Sequence, residues 1–199
     1  MTRPGLLLSA LLVWIFASAP ALAISTVVID AGHGGHDRGG VPGQRYAEKI
    51  YALDVAKRLN SRLRSAGYRT VMTRSGDYFL SLDQRCAIAN RQLSAIFISI
   101  HFNAAPRKTA DGIETYYYGS ASAGLASSIH KRVVSAAGTE NRGVRRRSFY
   151  VIRKTRCPAV LVECGFLSNP EEGARIARSS THRQRLADAI ANGVIARYR

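Results

Sequence analysis

Residues 95–103 read "AIFISIHFN", an apolar run broken only by Ser99 that ends on a polar rim at His101 and Asn103. Such a strand is buried on both faces, the situation of a strand inside a parallel sheet covered by helices. The neighbouring segments agree. Upstream, "STVVID" (25–30) is a second buried strand and "YRTVMTR" (68–74) a third. Between them Ile50, Leu53, Val55, Ala56, Leu59 and Leu63 recur near helical spacing from Glu48 to Ala66, and Gly67 stops the helix. Ser81 and Gln84 make a capping box for a helix over 82–92. Downstream, "GIETYYYG" (112–119) alternates as a strand near a sheet edge does, and a helix is expected over 122–137. "SFYVIR" (148–153) and "AVLVECGF" (159–166) read as two more strands. Asn169, Pro170, Glu171 and Glu172 supply a cap, a first-turn proline and an acidic first turn. Thr181 with Gln184 then opens a last helix that runs to the C-terminus.

Strands and helices alternate, which predicts a single-domain α/β fold. The expected sheet is mostly parallel and twisted, of about six strands, with helices on both faces. In such sheets binding sites form at the carboxyl ends of strands. Asp30, His33, His101 and Glu163 all lie at or just beyond expected strand ends.

The N-terminus is read separately. Arg3 is a short positive n-region, "LLLSALLVWIFASAP" an apolar h-region, and Ala21 to Ala23 a small-residue cleavage site. This is the pattern of a secretory signal peptide over 1–23, leaving a domain over 24–199. The alternative is an uncleaved anchor helix, although the run is short of a full membrane span. Export places the mature chain in the periplasm or outside the cell, with no membrane span after cleavage.

The chain of 199 residues carries 29 Lys+Arg against 13 Asp+Glu, net +16, falling to +15 once Arg3 is removed. Such a charge favours an acidic polymer as partner. Nucleic acid is one candidate and a carboxylate-rich cell-wall polymer another; export favours the second. Arg145, Arg146 and Arg147 are a candidate wall-binding patch, or an ordinary exposed turn. Three cysteines, Cys86, Cys157 and Cys164, argue against a disulfide framework and are read as buried free thiols.

The chemistry-bearing residues begin in "VVIDAGHGGHDRG" (27–39). Its glycines match neither G-x-x-x-x-G-K-[ST] nor G-x-G-x-x-G, so a phosphate loop is disfavoured. They do mark a tight turn with close backbone approach. Alone, His33 would be a turn residue, Glu48 a helix N-terminal acid and His101 a core histidine. Together, two histidines and a glutamate with water in the fourth position are a catalytic zinc set. Glu163 is the one carboxylate on an apolar strand, where burial is costly unless the group is paired or functional. Beside an activated water it would act as general base and then general acid. Period-2 alternation turns Cys164 to the opposite face. Asp30 and Asp37 are candidates to orient the ligands, with strand-end capping the alternative for Asp30; His36 is expected at the surface.

At this point the chain resembles the zinc-dependent N-acetylmuramoyl-L-alanine amidases of the amidase-3 family, the AmiA/AmiB/AmiC and CwlV type. The matching stretches are "VVIDAGHGGHDRG", "EKIYALDVAKRL", "VMTRSGDYFLSLDQRCAIAN", "FISIHFNA", "GIETYYYG", "NRGVRRRSFYVIRKTRCPAVLVECGFLSNPEE" and "LADAIANGV". They follow family order over essentially the whole mature chain. The resemblance implies Zn2+ held by His33, Glu48 and His101, with Glu163 as the catalytic glutamate. It implies peptidoglycan as substrate, cut between the lactyl group of N-acetylmuramic acid and the L-alanine of the stem peptide. Nucleic acid is then not expected, and a monomer is.

Departures from the family pattern are modest: Arg38 replaces a usual proline and Cys164 a usual threonine. The stretch between His101 and Glu163 is too short for the regulatory helix some relatives insert there. No wall-binding or septum-targeting domain is visible, which leaves the identity of any activator open. Two rival readings remain at this stage: an exported basic binding protein with a non-catalytic zinc site, and a zinc peptidase cutting within the stem peptide.

Overall fold

The computed structural model describes residues 24–199; the expected signal peptide lies outside the described residues. Six strands form one sheet: β1 (Thr26–Ala31), β2 (Arg69–Met72), β3 (Ala95–Asn103), β4 (Ile113–Tyr117), β5 (Asn141–Arg146) and β6 (Ala159–Phe166). Their order is β2-β1-β3-β6-β4-β5. All neighbours are parallel except β4 and β6, which are antiparallel. The six helices are α1 (Glu48–Ser65), α2 (Leu82–Asn90), α3 (Ala123–Ala137), α4 (Tyr150–Lys154), α5 (Pro170–Arg178) and α6 (Ser180–Tyr198). The α/β architecture expected from the alternation of strands and helices is the one observed.

The two sheet faces differ in what covers them. Val27 and Ile29 of β1, Ile96, Ile98 and Ile100 of β3, and Val160, Val162 and Cys164 of β6 point to a large core. Leu59 and Leu63 of α1, Leu125 and Ile129 of α3, and Ile190 and Val194 of α6 close it. The opposite face carries a smaller core of Val28, Phe97, Tyr116 and Leu161, closed by Cys86 and Ala89 of α2 and Val151 and Ile152 of α4. Beyond this smaller core, toward the carboxyl ends of the strands, the same face changes character, and only part of it opens to a cavity. The strand residues that point there are polar: Asp30, Ser99, His101, Glu163 and Glu114. The site therefore lies on the sheet face as well as at its rim.

Two expectations are corrected. The stretch 148–153 is not a strand: β5 comes earlier, over Asn141–Arg146, and 150–154 form α4. As the edge strand, β5 pairs only with β4 and its side chains are largely solvated, so "NRGVRR" shows no apolar pattern. Tyr150, Val151 and Ile152 are strand-formers by propensity, but a single helical turn buries Val151 and Ile152 together against the sheet. Secondly, Ser179 rather than Thr181 caps α6, its side chain accepting from the His182 amide. Elsewhere the caps are as read. Ser81 and Gln84 close the capping box of α2, and Asn169 accepts from the amides of Glu171 and Glu172. Cys86, Cys157 and Cys164 are free; Cys157 is only half-buried.

Candidate metal centre and active site

Three chain segments meet at the carboxyl ends of β1 and β3. After β1 the chain turns sharply, and His33 takes a left-handed conformation with φ of 59°. Mutual hydrogen bonds between the backbones of Gly34 and Asp37, 3.0 and 3.1 Å, close the turn. A β-carbon on Gly32 would lie 2.4 Å from the His101 ring. One on Gly39 would lie 2.6 Å from both the His33 ring and the Glu48 carboxylate. Glycine at these positions is what lets the two imidazoles come edge-to-face with centroids 4.9 Å apart.

Glu48 begins α1 and is 3 % exposed, so its carboxylate is charged only if it is fully partnered. Its Oε1 accepts from the Phe102 amide at 2.9 Å and lies 2.8 Å from His101 Nδ1. Its Oε2 lies 3.1 Å from His33 Nε2. Burial works to raise the Glu48 carboxyl, but the hydrogen bonds with His101 and His33 prevail and hold it at about 2. On His33, burial works to lower the pKa, and contacts with Glu48 and Asp37 outweigh it and raise it. One nitrogen or oxygen from each of His33, Glu48 and His101 falls within 4.8 Å of the others.

Asp37 and Asp30 separate in role. Asp37 Oδ2 lies 2.8 Å from His33 Nδ1 and its Oδ1 accepts from the Gly39 amide at 3.1 Å, so it fixes the ring and turns Nε2 toward Glu48. Asp30 touches neither histidine. It accepts from Thr73, Ser99 and Arg85 at 2.7, 2.7 and 2.8 Å in a buried ion pair beneath the site. His36 is exposed and packs against Phe79, with centroids 4.3 Å apart. Arg145 and Arg146 end the edge strand and Arg147 follows, all three exposed, with Arg146 over the Tyr118 ring.

Glu163 projects from β6 beside His101, its register partner on β3. Its Oε2 is buried and lacks a partner. Burial, with the negative charges of Glu48 and Glu114 added, pushes this carboxyl well above the usual range. Cys164 points into the opposite core, as alternation requires.

Three site residues escaped sequence reasoning. Arg74 and Arg85, both buried, grip the backbone of the histidine turn. Arg74 donates to the carbonyls of Ala31 and Gly32 at 2.9 and 2.7 Å, and Arg85 to those of Ala31 and His33 at 2.6 and 2.7 Å. The available signal was Arg85 on the same helix face as Cys86 and Ala89, where a charge needs a buried partner. Glu114 is the third, paired in register with Glu163 across the antiparallel strands.

Beside His33 and His101 a cavity of about 310 Å³ opens on this sheet face, lined chiefly by Phe79, Leu82, Phe149, Tyr150 and Leu161. A second, of about 580 Å³, is walled by the loop from His36 to Ala47. Residues 27–196 match the family model of the N-acetylmuramoyl-L-alanine amidases, Amidase_3. The chain belongs to this family. It is a hydrolase of that class, as the resemblance in its motifs implied. The catalytic domain of the amidase CwlV from Bacillus (Paenibacillus) polymyxa var. colistinus superposes with a TM-score of 0.81 at 41% identity, over 86% of this chain and 97% of that domain. YqiI of Bacillus subtilis is 41% identical over 87% of this chain and 84% of its own length. The amidase LytC of the same organism is 38% identical over 87% of this chain. This amidase spans only 36% of LytC. No helix of the described residues is long and apolar enough to cross a membrane.

Proposed function

We propose that this amidase is an exported, zinc-dependent peptidoglycan hydrolase. It cuts the amide between the lactyl group of N-acetylmuramic acid and the L-alanine of the stem peptide, in cell-wall remodelling or daughter-cell separation. The observation that carries the reading is the convergence of His33, Glu48 and His101 donor atoms within 4.8 Å beside the unpartnered Glu163 Oε2.

The residues fit zinc. Two imidazoles and one carboxylate are a catalytic rather than a closed structural donor set. Glu48 is held ionised, as a ligand must be, and Gly32 and Gly39 keep β-carbons out of the ligand cluster. His33, Glu48 and His101 would hold the ion, with Asp37 setting the tautomer of His33. When bound, zinc supplies a Lewis acid that polarises the carbonyl and acidifies water.

The remaining work falls to the chain. Glu163 takes a proton from the attacking water and passes it to the leaving alanine amine. Burial, with the charges of Glu48 and Glu114 added, raises the pKa of this carboxyl and so makes its carboxylate a stronger base for that transfer. The apolar cavity on the sheet face seats the substrate and limits water around the reacting centre. Arg145, Arg146 and Arg147 add exposed positive charge that draws the +15 mature chain to carboxylate-bearing wall.

Digestion of purified sacculi by the mature chain tests the reading. Mass spectrometry should find intact stem peptides released with a free L-alanine amine, with activity lost to a chelator and restored by zinc. Fragments cut inside the stem peptide, or full activity in metal-free protein, would overturn it.

A further inference from the structure

Cavities adjoin one another across the site, and their two ends differ in charge. The apolar cavity and the loop-walled one share His33 and Asp37. The loop-walled cavity borders a third, of about 420 Å³, with Gly43, Gln44 and Tyr46 lining both. At the apolar end Arg85 is the sole cation of the lining, and it is committed to Asp30. At the far end three exposed cations line the wall: Arg45 from the β1–α1 loop, Lys108 from the β3–β4 loop and Arg178 from the end of α5. No aspartate or glutamate lines that pocket. The ion pairs among the described residues engage other cations. Three separate chain segments thus bring like charges to one pocket with no acid to offset them, which favours an anionic occupant.

On the amide-hydrolysis reading proposed above, the substrate is itself asymmetric. On one side of the cut bond lies an N-acetylated, uncharged sugar; on the other a peptide whose second residue, a γ-linked glutamate, carries an α-carboxyl group. We infer that Arg45, Lys108 and Arg178 form a subsite for a stem-peptide carboxylate, so that the enzyme selects stems with a free glutamyl α-carboxyl over amidated ones. The sugar then takes the apolar end, where the exposed Phe79, Leu82 and Phe149 offer apolar and aromatic surface to its ring. The same asymmetry fixes the direction in which the polymer crosses the metal centre.

Two soluble muramyl-peptides that differ only in amidation of that carboxyl decide the matter, assayed with the mature enzyme. The free acid should show a KM about tenfold lower, the scale of several exposed charge pairs acting together. The difference should shrink in high salt. In an Arg45→Ala/Arg178→Ala double variant the preference should collapse to within about twofold through a rise in KM for the free acid. A Lys131→Ala/Arg185→Ala variant, which removes the same charge from another face, should keep it. Equal KM values in the wild type, or loss of the preference in both double variants, overturn the subsite while leaving amide hydrolysis standing. Cleavage of neither substrate overturns the functional reading and the subsite with it.

Discussion

Glu114 and Glu163 face each other across the antiparallel pair of β4 and β6, yet only one of them is satisfied. Glu114 accepts from Asn103 Nδ2 and the Tyr116 hydroxyl at 2.7 Å each and from Arg142 at 3.4 Å. Glu163 Oε2 has no partner. One carboxylate is built into the fold; the other has a buried oxygen with no partner, which is what the proposed general base requires.

Substitution should separate the two. Glu163→Gln should fold at least as stably as the wild type while turnover falls by two orders of magnitude or more, the usual scale for general acid–base catalysis. Glu114→Ala should instead cost about 2–4 kcal/mol of stability, because it strands buried donors and the Arg142 charge. Denaturant melts with a turnover assay check both. Survival of activity in Glu163→Gln would place the base elsewhere.

Asp37 should reveal itself through metal affinity rather than folding. Asp37→Ala frees the His33 ring, and zinc affinity should fall by roughly 10–100-fold, the usual effect of losing an orienting partner. Competition with a chromophoric chelator measures this directly. His101→Ala should lose the metal outright, so an Asp37→Ala variant with unchanged zinc affinity would leave Asp37 as a turn residue only.

The buried Asp30–Arg85 pair should be a stability element. Arg85→Leu leaves Asp30 buried with one partner fewer and releases the carbonyls of Ala31 and His33. Breaking such a pair costs about 3–5 kcal/mol. For a domain of this size, that is a fall in Tm on the order of 10 °C. A loss below about 1 kcal/mol in denaturant titration would contradict the assignment.

His182 should make the fold acid-sensitive. Burial, followed by the charges of Arg175, Arg185 and Arg183, lowers its pKa from 6.5 to about 4. Above pH 6.5 it is neutral in both folded and unfolded chains and contributes no pH dependence. As pH falls from 6.5 toward 4 the unfolded chain takes up the proton first, so stability is lost, by up to roughly 3 kcal/mol. In His182→Leu the fall in Tm between pH 7 and pH 4.5 should be visibly smaller than in the wild type. Parallel curves for the two proteins would show that His182 does not drive it.

The arginine patch should make wall binding salt-dependent. Exposed charges are screened beyond about 8 Å at physiological ionic strength. Pelleting with sacculi should therefore weaken steeply as salt rises. Replacing Arg145, Arg146 and Arg147 by Ala should shift the midpoint to lower salt. Binding that ignores salt would reject the electrostatic attachment.

The sequence by itself determined the layered α/β fold, because apolar strands alternating with amphipathic helices can bury their surfaces in few other ways. It also marked His33, His101 and Glu163, since charged or metal-binding groups at or just beyond the ends of apolar strands are costly without a use. Glu48, a helix N-terminal acid by itself, was marked only by its company and by the motif it belongs to. Only the tertiary structure decided the rest. The edge strand at 141–146 has little burial pattern to leave in its sequence, and the single turn of α4 arises from packing on a sheet face. Asp37 and Asp30 read alike as acids near a histidine; the turn geometry gave His33 to one and the distant Arg85 to the other. Arg74 and Arg85 grip carbonyls about 40 or more residues away in the chain. Such contacts join side chains to backbone oxygens, which every residue carries, so no local pattern announces them; only the meeting of β1, β2 and α2 in space creates them.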